Sequence, residues 1–253
     1  MVSLLRVINN QIQIKMTEHK TIKKADDETT DIICVLDRST SIRTSGLIDK
    51  TIEGFNSFLA DQKKTPGQAK LTLCLFDGGM GYGAIEGKQY EIIHDRVDIQ
   101  SVPDLNTETF VPRGMTAMYD AIGSTIDAVY SKWKNSTDRP DKVIFLIMTD
   151  GQENSSKEYT QKTVFESIQK RKDEDKWAFL FIGANIDTMQ VGGGMGVSAG
   201  NTMSYSNTSH GVNTAYMNMS ASVKNFRGAG LYSMDLDSLV KDNGEEKEAD
   251  LNK

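Results

Sequence analysis

The chain has 253 residues, 38% of them hydrophobic and 25% charged, which is typical of a soluble globular protein with one large domain or two small ones. The formal net charge of −6 argues against nucleic acid and anionic membrane as main partners, since both select a basic surface. No apolar run is long enough to span a bilayer, and the N-terminus is too interrupted for a secretory signal. A cytoplasmic location is therefore expected.

The two cysteines, Cys34 and Cys74, lie inside apolar runs that are typical of buried strands. We expect both to be reduced thiols, as in a cytosolic protein, with a disulfide between neighbouring strands as the less favoured alternative. No Cys/His cluster has the spacing of a zinc site.

Short apolar runs predict six strands, and the spacing of apolar residues predicts helices between most of them. The predicted strands are 32–36, 69–76, 90–99, 142–148, 177–182 and 201–204. The predicted helices are 46–63, one that begins near 116, 159–172, 185–195 and 208–227. The third strand follows a short turn and has polar interruptions, which predicts an antiparallel edge strand. Strands that alternate with helices indicate an α/β fold with a mainly parallel sheet covered on both faces.

The predicted domain organisation is one central domain with two polar ends. Residues 1–30 are predicted to be an N-terminal arm and linker, residues 31–227 the domain, and residues 228–253 an acidic, disordered tail. The glycine-rich segment 78–87 lacks the Lys-Ser/Thr pair and the following helix of a phosphate-binding loop, so no such loop is predicted there.

Asp37 ends the first predicted strand and is followed by Ser39 and Ser41. In an extended chain, residues at i, i+2 and i+4 point to the same side, so one carboxylate and two hydroxyls converge. Ligands that are all oxygen suit a hard divalent cation, Mg²⁺ above all. Alternatively, Ser39, Thr40 or Ser41 caps the helix that follows, which explains a single hydroxyl. On this stretch alone the two interpretations are equally good.

Two further oxygen-bearing residues occur later in the chain. Thr116 lies at the start of a predicted helix, where capping is the alternative role, and Asp150 directly follows the most apolar strand, where Asp-Gly is often only a turn. In mainly parallel sheets, ligands bind at the carboxyl ends of the strands. Asp37, Ser39, Ser41, Thr116 and Asp150 all fall at that edge, and capping does not explain all five.

Three motifs, in this order and context, resemble the metal-ion-dependent adhesion site (MIDAS) of von Willebrand factor type A (VWA) domains. They are Asp37-x-Ser39-x-Ser41, Gly114-x-Thr116 and Met148-Thr-Asp150-Gly. The resemblance covers residues 31–227 and is closest in style to stand-alone bacterial and phage members of the family. It implies a three-layer, Rossmann-like fold with a six-stranded sheet of order 3-2-1-4-5-6, in which the third strand is antiparallel.

The resemblance also implies roles for the five residues. Ser39, Ser41 and Thr116 are implied to bind Mg²⁺, or alternatively Mn²⁺ or Ca²⁺, directly. Asp37 and Asp150 are implied to act through water or to switch between direct and water-mediated contact.

The expected function is a Mg²⁺-dependent protein-interaction module rather than an enzyme. Mostly neutral ligands leave the cation with excess positive charge and an open position, which an Asp or Glu of a partner protein can fill. The oligomeric state is left open.

Two alternatives remain at this point. A metal-dependent phosphoryl hydrolase needs clustered carboxylates and a positioned base. None of His19, His94 and His210 belongs to the motifs, and Asp77 is the one further carboxylate expected near the site. The other alternative is a scaffold that uses the fold without a metal, against which the intact motif argues.

Overall fold

The computed structural model describes residues 28–229 except residues 87 and 135, and its centre is a sheet. The six strands are β1 Thr29–Asp37, β2 Gln68–Phe76, β3 Tyr90–Asp98, β4 Lys142–Thr149, β5 Ala178–Gly183 and β6 Thr202–Ser204. Their order is β3-β2-β1-β4-β5-β6. All neighbours pair in parallel except β2 and β3, which are antiparallel. The predicted strand order and the antiparallel edge strand are confirmed.

Helices cover both faces of the sheet and give the three layers that were expected. They are α1 Thr40–Thr44, α2 Ile48–Lys64, α3 Met118–Lys134, α4 Gln161–Asp175, α5 Thr188–Gly194 and α6 Ser209–Ala229. On one face α2 packs with α6, and on the other α3 packs with α4.

The two faces of β1 belong to different hydrophobic cores. Ile32, Cys34 and Leu36 enter the core beneath α2 and α6, whereas Ile33 and Val35 enter the core beneath α3 and α4. Because both faces are covered, the strand needs apolar residues at every position rather than at alternate ones. This is why the run in the sequence is continuous.

The same alternation separates the cysteines. Cys34 and Cys74 are both free and buried, and they lie in different cores on opposite sides of the sheet, so the disulfide alternative is wrong. Burial raises the pKa of Cys74 to about 11 and raises that of Cys34 as well.

We therefore expect neither thiol to react with a water-soluble disulfide reagent in the native protein. Two equivalents should react once denaturant exposes the cores, because buried neutral thiols are poor nucleophiles. Absorbance of the released chromophore measures both. Reaction of one thiol in native buffer at the rate of a free cysteine would contradict the buried placement.

The helix boundaries differ from the prediction at two places near the sheet edge. A one-turn helix, α1, precedes α2 and is separated from it by Gly46, whose φ of 72° favours glycine. The helix expected to begin near Thr116 begins at Met118. The predicted arm, 1–30, and tail, 228–253, lie almost wholly outside the described residues. No helix in the described part of the chain has the length and apolar character that a membrane crossing needs.

The two ends of the described chain lie side by side. Lys142, the first residue of β4, contacts Glu28 Oε2 through its Nζ at 2.7 Å. The same ammonium donates to the carbonyl oxygen of Arg227 at 2.8 Å. The Arg227 guanidinium in turn donates to the carbonyl oxygens of Thr65 and Gly67, which follow α2. These contacts lie at the amino ends of the parallel strands.

Candidate metal centre

Asp37 is the last residue of β1, and two hydrogen bonds fix its buried carboxylate. Oδ1 accepts from the backbone N–H of Ser39 at 2.6 Å, and Oδ2 accepts from the hydroxyl of Thr149 at 2.6 Å. Thr149 ends β4, the parallel neighbour of β1, so the sheet itself brings this pair together. Thr149 was not among the predicted site residues, although it stands inside the third motif.

The hydroxyls of Ser39 and Ser41 face the carboxylate of Asp150. Ser39 occupies the position that precedes α1, but its hydroxyl makes no hydrogen bond to the helix backbone. Instead the two serine hydroxyls lie 2.7 Å apart, and Ser41 Oγ donates to Asp150 Oδ1 at 2.6 Å. Ser39 Oγ lies 3.5 Å from the same oxygen. The capping role considered for Ser39 is not what the structure shows.

Thr116 borders the turn that follows Asp150. Its backbone N–H donates to Asn154 Oδ1 at 2.9 Å, and its carbonyl accepts from the Asn154 N–H at 3.0 Å. A Cβ added to Gly151 would lie 3.7 Å from Thr116 Oγ1, which places the buried hydroxyl beside the Asp150 turn. The residue next to α3 is Ala117, so Thr116 does not take the capping position.

The loop after Asp150 is held against the start of α3 by Asp120. The carboxylate of Asp120 is fully buried and accepts three backbone N–H groups, from Lys157 at 2.7 Å, Glu158 at 2.9 Å and Tyr159 at 2.8 Å. Asp120 therefore positions the loop that carries Asp150. This role of Asp120 was not predicted, because a lone acid in the first turn of a helix gives no sign of its partners.

Burial dominates the electrostatics of the two carboxylates. It raises the pKa of Asp37 to about 7, with the neighbouring charge of Asp150 as the second cause. It also raises the pKa of Asp150, against the hydrogen bonds from Ser41 and Ser39 that lower it. No Lys, Arg or His among the described residues forms an ion pair with either carboxylate. Two buried acids without a compensating cation are costly, and a divalent ion would remove that cost.

The donor set fits such an ion. Asp150 Oδ2 is buried and has no hydrogen-bond partner among the described residues, although Oδ1 of the same carboxylate is bonded. The groups around it are hydroxyls and carboxylates, which are the ligands of hard cations. In the described part of the chain, no three His, Cys, Asp or Glu side chains cluster as a metal site. A cation here would be held by two acids at most, with neutral oxygens beside them.

Asp77, the further carboxylate expected near the site, forms ion pairs with two arginines of the neighbouring loops, and its Oδ1 is buried without a hydrogen-bond partner among the described residues. Its Oδ2 accepts from Arg38 Nε at 2.9 Å and from Arg113 Nε at 3.0 Å. Arg38 also donates to Glu91 Oε2 at 3.2 Å. Arg38 belongs to the first motif and Arg113 directly precedes the second, so Asp77 ties the two loops together. Arg38 thus has a structural role.

No family model and no curated protein matches this sequence. Solved structures do match. Proximal thread matrix protein 1 from the mussel byssus superposes with a TM-score of 0.53 at 16% identity, over 77% of this chain and 46% of that chain. A structure of that protein described as having a zinc-occupied MIDAS motif superposes with a TM-score of 0.53 at 14% identity, over 79% and 46%.

The pilus adhesin SpaC from Lactobacillus rhamnosus GG, in its open conformation, superposes with a TM-score of 0.54 at 12% identity, over 78% of this chain and 30% of that chain. This chain therefore spans less than half the length of these proteins. At such identities the likeness shows the fold alone. The fold is VWA-like.

Proposed function

We propose that this chain is a VWA-type protein-interaction module of the stand-alone bacterial or phage kind, which binds an acidic side chain of a partner protein through Mg²⁺. Ser39, Ser41 and Thr116 would bind the ion directly, with Asp37 and Asp150 beside it, directly or through water. The observation that carries the proposal is the buried Oδ2 of Asp150, which lies next to two serine hydroxyls and has no hydrogen-bond partner in the described part of the chain.

The residues account for binding in two ways. The hydroxyls of Ser39 and Ser41 bring oxygen ligands without charge, so a bound ion would keep its attraction for an incoming carboxylate. The hydrogen bonds to Asp37 hold that carboxylate in one orientation, so little ordering is needed when the ion arrives. Mn²⁺ or Ca²⁺ could take the same place, since both prefer oxygen ligands.

The proposal contains no catalytic step. A phosphoryl hydrolase with two metals needs further carboxylates, and the one candidate, Asp77, is paired with Arg38 and Arg113. That pairing gives no support to a second metal. A phosphatase assay with Mg²⁺ or Mn²⁺ and a generic phosphate ester tests the alternative directly.

Metal binding is expected to raise the thermal stability of the protein. At a Mg²⁺ concentration about 100 times the dissociation constant, the native state gains about 2.7 kcal/mol, and Tm should rise by about 5–10 °C. Thr116→Ala removes one ligand and should reduce the rise to less than about 2 °C. Differential scanning fluorimetry of the metal-free protein, with Mg²⁺ and then with excess EDTA, measures both.

Thr125→Ala is the matched control, because Thr125 is also a buried threonine but lies on α3 within a core. This variant should keep the full Mg²⁺ response. The proposal is wrong if the wild-type protein shows no response to Mg²⁺ or Mn²⁺, or if Thr116→Ala responds as strongly as wild type.

A further inference from the structure

The segment between β2 and β3 contains a glycine-rich loop, residues 78–86, that the proposed metal site does not use. It follows the carboxyl end of β2 and so lies at the same edge of the sheet as the ends of β1 and β4. From the sequence, this loop was predicted only to be a turn. Its position beside the candidate metal centre suggests a role in binding the partner.

Backbone hydrogen bonds connect the glycine-rich loop to both metal-site loops. The N–H of Gly114 donates to the carbonyl of Tyr82 at 2.8 Å. The carbonyl of Gly114 accepts from the N–H of Thr40 at 3.2 Å and from its hydroxyl at 2.8 Å. Thr40 lies between the two serines of the first motif, and Gly114 lies two residues before Thr116. The loop is therefore fixed next to the site.

This loop concentrates the exposed apolar surface of the protein. Seven large apolar side chains are exposed among the described residues, and three of them lie on the loop. A fourth, Val111, lies two residues before Arg113, whose Cβ would be 3.5 Å from a Cβ on Gly83 of the loop. We call these four the apolar rim: Met80 at 58% exposure, Tyr82 at 68%, Ile85 at 42% and Val111 at 36%. Single exposed apolar residues are ordinary, whereas a group of four beside a candidate site marks an interaction surface.

Arg43 places a positive charge beside the apolar rim, on the short helix α1 that also carries Ser41 of the candidate metal centre. Its side chain is exposed. Its guanidinium lies 5.5 Å from the ring centroid of Tyr82 and donates to the carbonyl of Pro112 at 3.2 Å. An acidic partner segment approaching the metal would meet this charge, and the contact also orients Tyr82.

We propose that the apolar rim binds an aliphatic or aromatic side chain that lies next to the acidic residue in the partner protein. This inference rests on the proposed function, since the acidic residue is the one bound through Mg²⁺. The rim continues the metal site outward, and Arg43 matches the charge of an acidic segment. Burial of one such apolar side chain is expected to strengthen binding by about 10- to 100-fold.

The test is selection from a random peptide library displayed on phage against the immobilised full-length chain in Mg²⁺, with a parallel selection in EDTA. Wild type should enrich peptides with an Asp or Glu directly flanked by an apolar residue, and only in Mg²⁺. A rim variant with three exposed side chains changed should still enrich the acid but lose the apolar neighbour. Its changes are Met80→Ser, Tyr82→Ser and Ile85→Ser.

The matched control changes the three large exposed apolar residues that lie on helices α4, α5 and α6 instead of on the loop. Its changes are Phe165→Ser, Met189→Ser and Met217→Ser, at 41%, 52% and 67% exposure. Fluorescence anisotropy with one selected peptide should show affinity unchanged for the control and about 10- to 100-fold weaker for the rim variant. Thr116→Ala should bind neither the selected peptide nor variants of that peptide that keep its acidic residue.

The outcomes separate the two proposals. If wild type enriches no acidic residue in Mg²⁺, the proposed function itself fails. If the acid is enriched without an apolar neighbour, or the rim variant binds the selected peptide as tightly as wild type, the rim proposal is overturned and the metal proposal stands. Sedimentation velocity tests whether a second copy of the chain binds the rim instead. If wild type is a dimer and the rim variant is a monomer, the rim is a dimer interface and the proposal is overturned.

Discussion

Substitution of Gly114 by alanine is expected to lower the free energy of unfolding by about 2–5 kcal/mol, since two penalties add. Gly114 has a φ of 65°, a left-handed conformation that costs about 1–2 kcal/mol for a residue with a Cβ. In addition, the new Cβ would overlap the carbonyl oxygen of Gly78, a backbone atom that cannot swing away. Such overpacking costs about 1–3 kcal/mol.

Gly46→Ala is the control that separates the two penalties. Gly46 has a φ of 72°, but a Cβ there would meet nothing within 4 Å, so only the conformational cost of about 1–2 kcal/mol applies. Urea unfolding followed by tryptophan fluorescence measures both variants. Equal losses of unfolding free energy in the two variants would show that the backbone at Gly78 moves aside at little cost. Because Gly114 joins the glycine-rich loop to Thr40, we also expect its alanine variant to respond less to Mg²⁺.

Replacement of Asp120 by alanine is expected to cost about 3 kcal/mol or more of unfolding free energy. Three backbone N–H groups would lose a charged acceptor, and each unpaired donor costs about 1–3 kcal/mol unless water reaches it. Asn at this position should fall between wild type and alanine, because Oδ1 can still accept from Glu158 and Tyr159 while an NH₂ faces the N–H of Lys157.

The matched control is Asp127→Ala, two turns further along α3. The Asp127 side chain accepts a hydrogen bond at the surface from the Tyr159 hydroxyl at 2.7 Å, and the loss of this bond should cost about 0.5–1.5 kcal/mol. Chemical denaturation gives the comparison. If the two alanine variants are equally stable, Asp120 does not hold the loop as described. A weaker Mg²⁺ response of Asp120→Ala would further show that the loop positions Asp150.

The sheet could be predicted from the sequence because the pattern of apolar and polar residues within each strand depends on its position in the sheet. The run in β4 is continuous because both its faces are buried, and β3 is interrupted by polar residues because it lies at the edge. The break between α1 and α2 was missed, since nothing at Gly46 in the sequence distinguishes a left-handed turn from the start of a helix.

The five residues could be picked out as candidates because each lies at or close after the end of a buried strand, or shortly before a long helix. Their partners could not. Thr149, Asp120 and Asn154 act through residues that are distant in the chain, and the pairs Asp37 with Thr149 and Thr116 with Asn154 arise only once the strands are ordered. The alternative capping role of Ser39 was settled by side-chain direction, which residue spacing does not determine.

The pairing of Glu28 and Arg227 with Lys142 has a consequence for how the domain can be tethered. Both points where the described chain continues into further sequence lie at the amino ends of the strands, and the candidate metal centre lies at the carboxyl ends. An immobilising anchor joined at residue 28 or at residue 229 would attach at the amino ends of the strands and leave the carboxyl ends, with the candidate metal centre, facing solution. The same attachment position therefore suits immobilisation on sensor chips, immobilisation on beads and surface display.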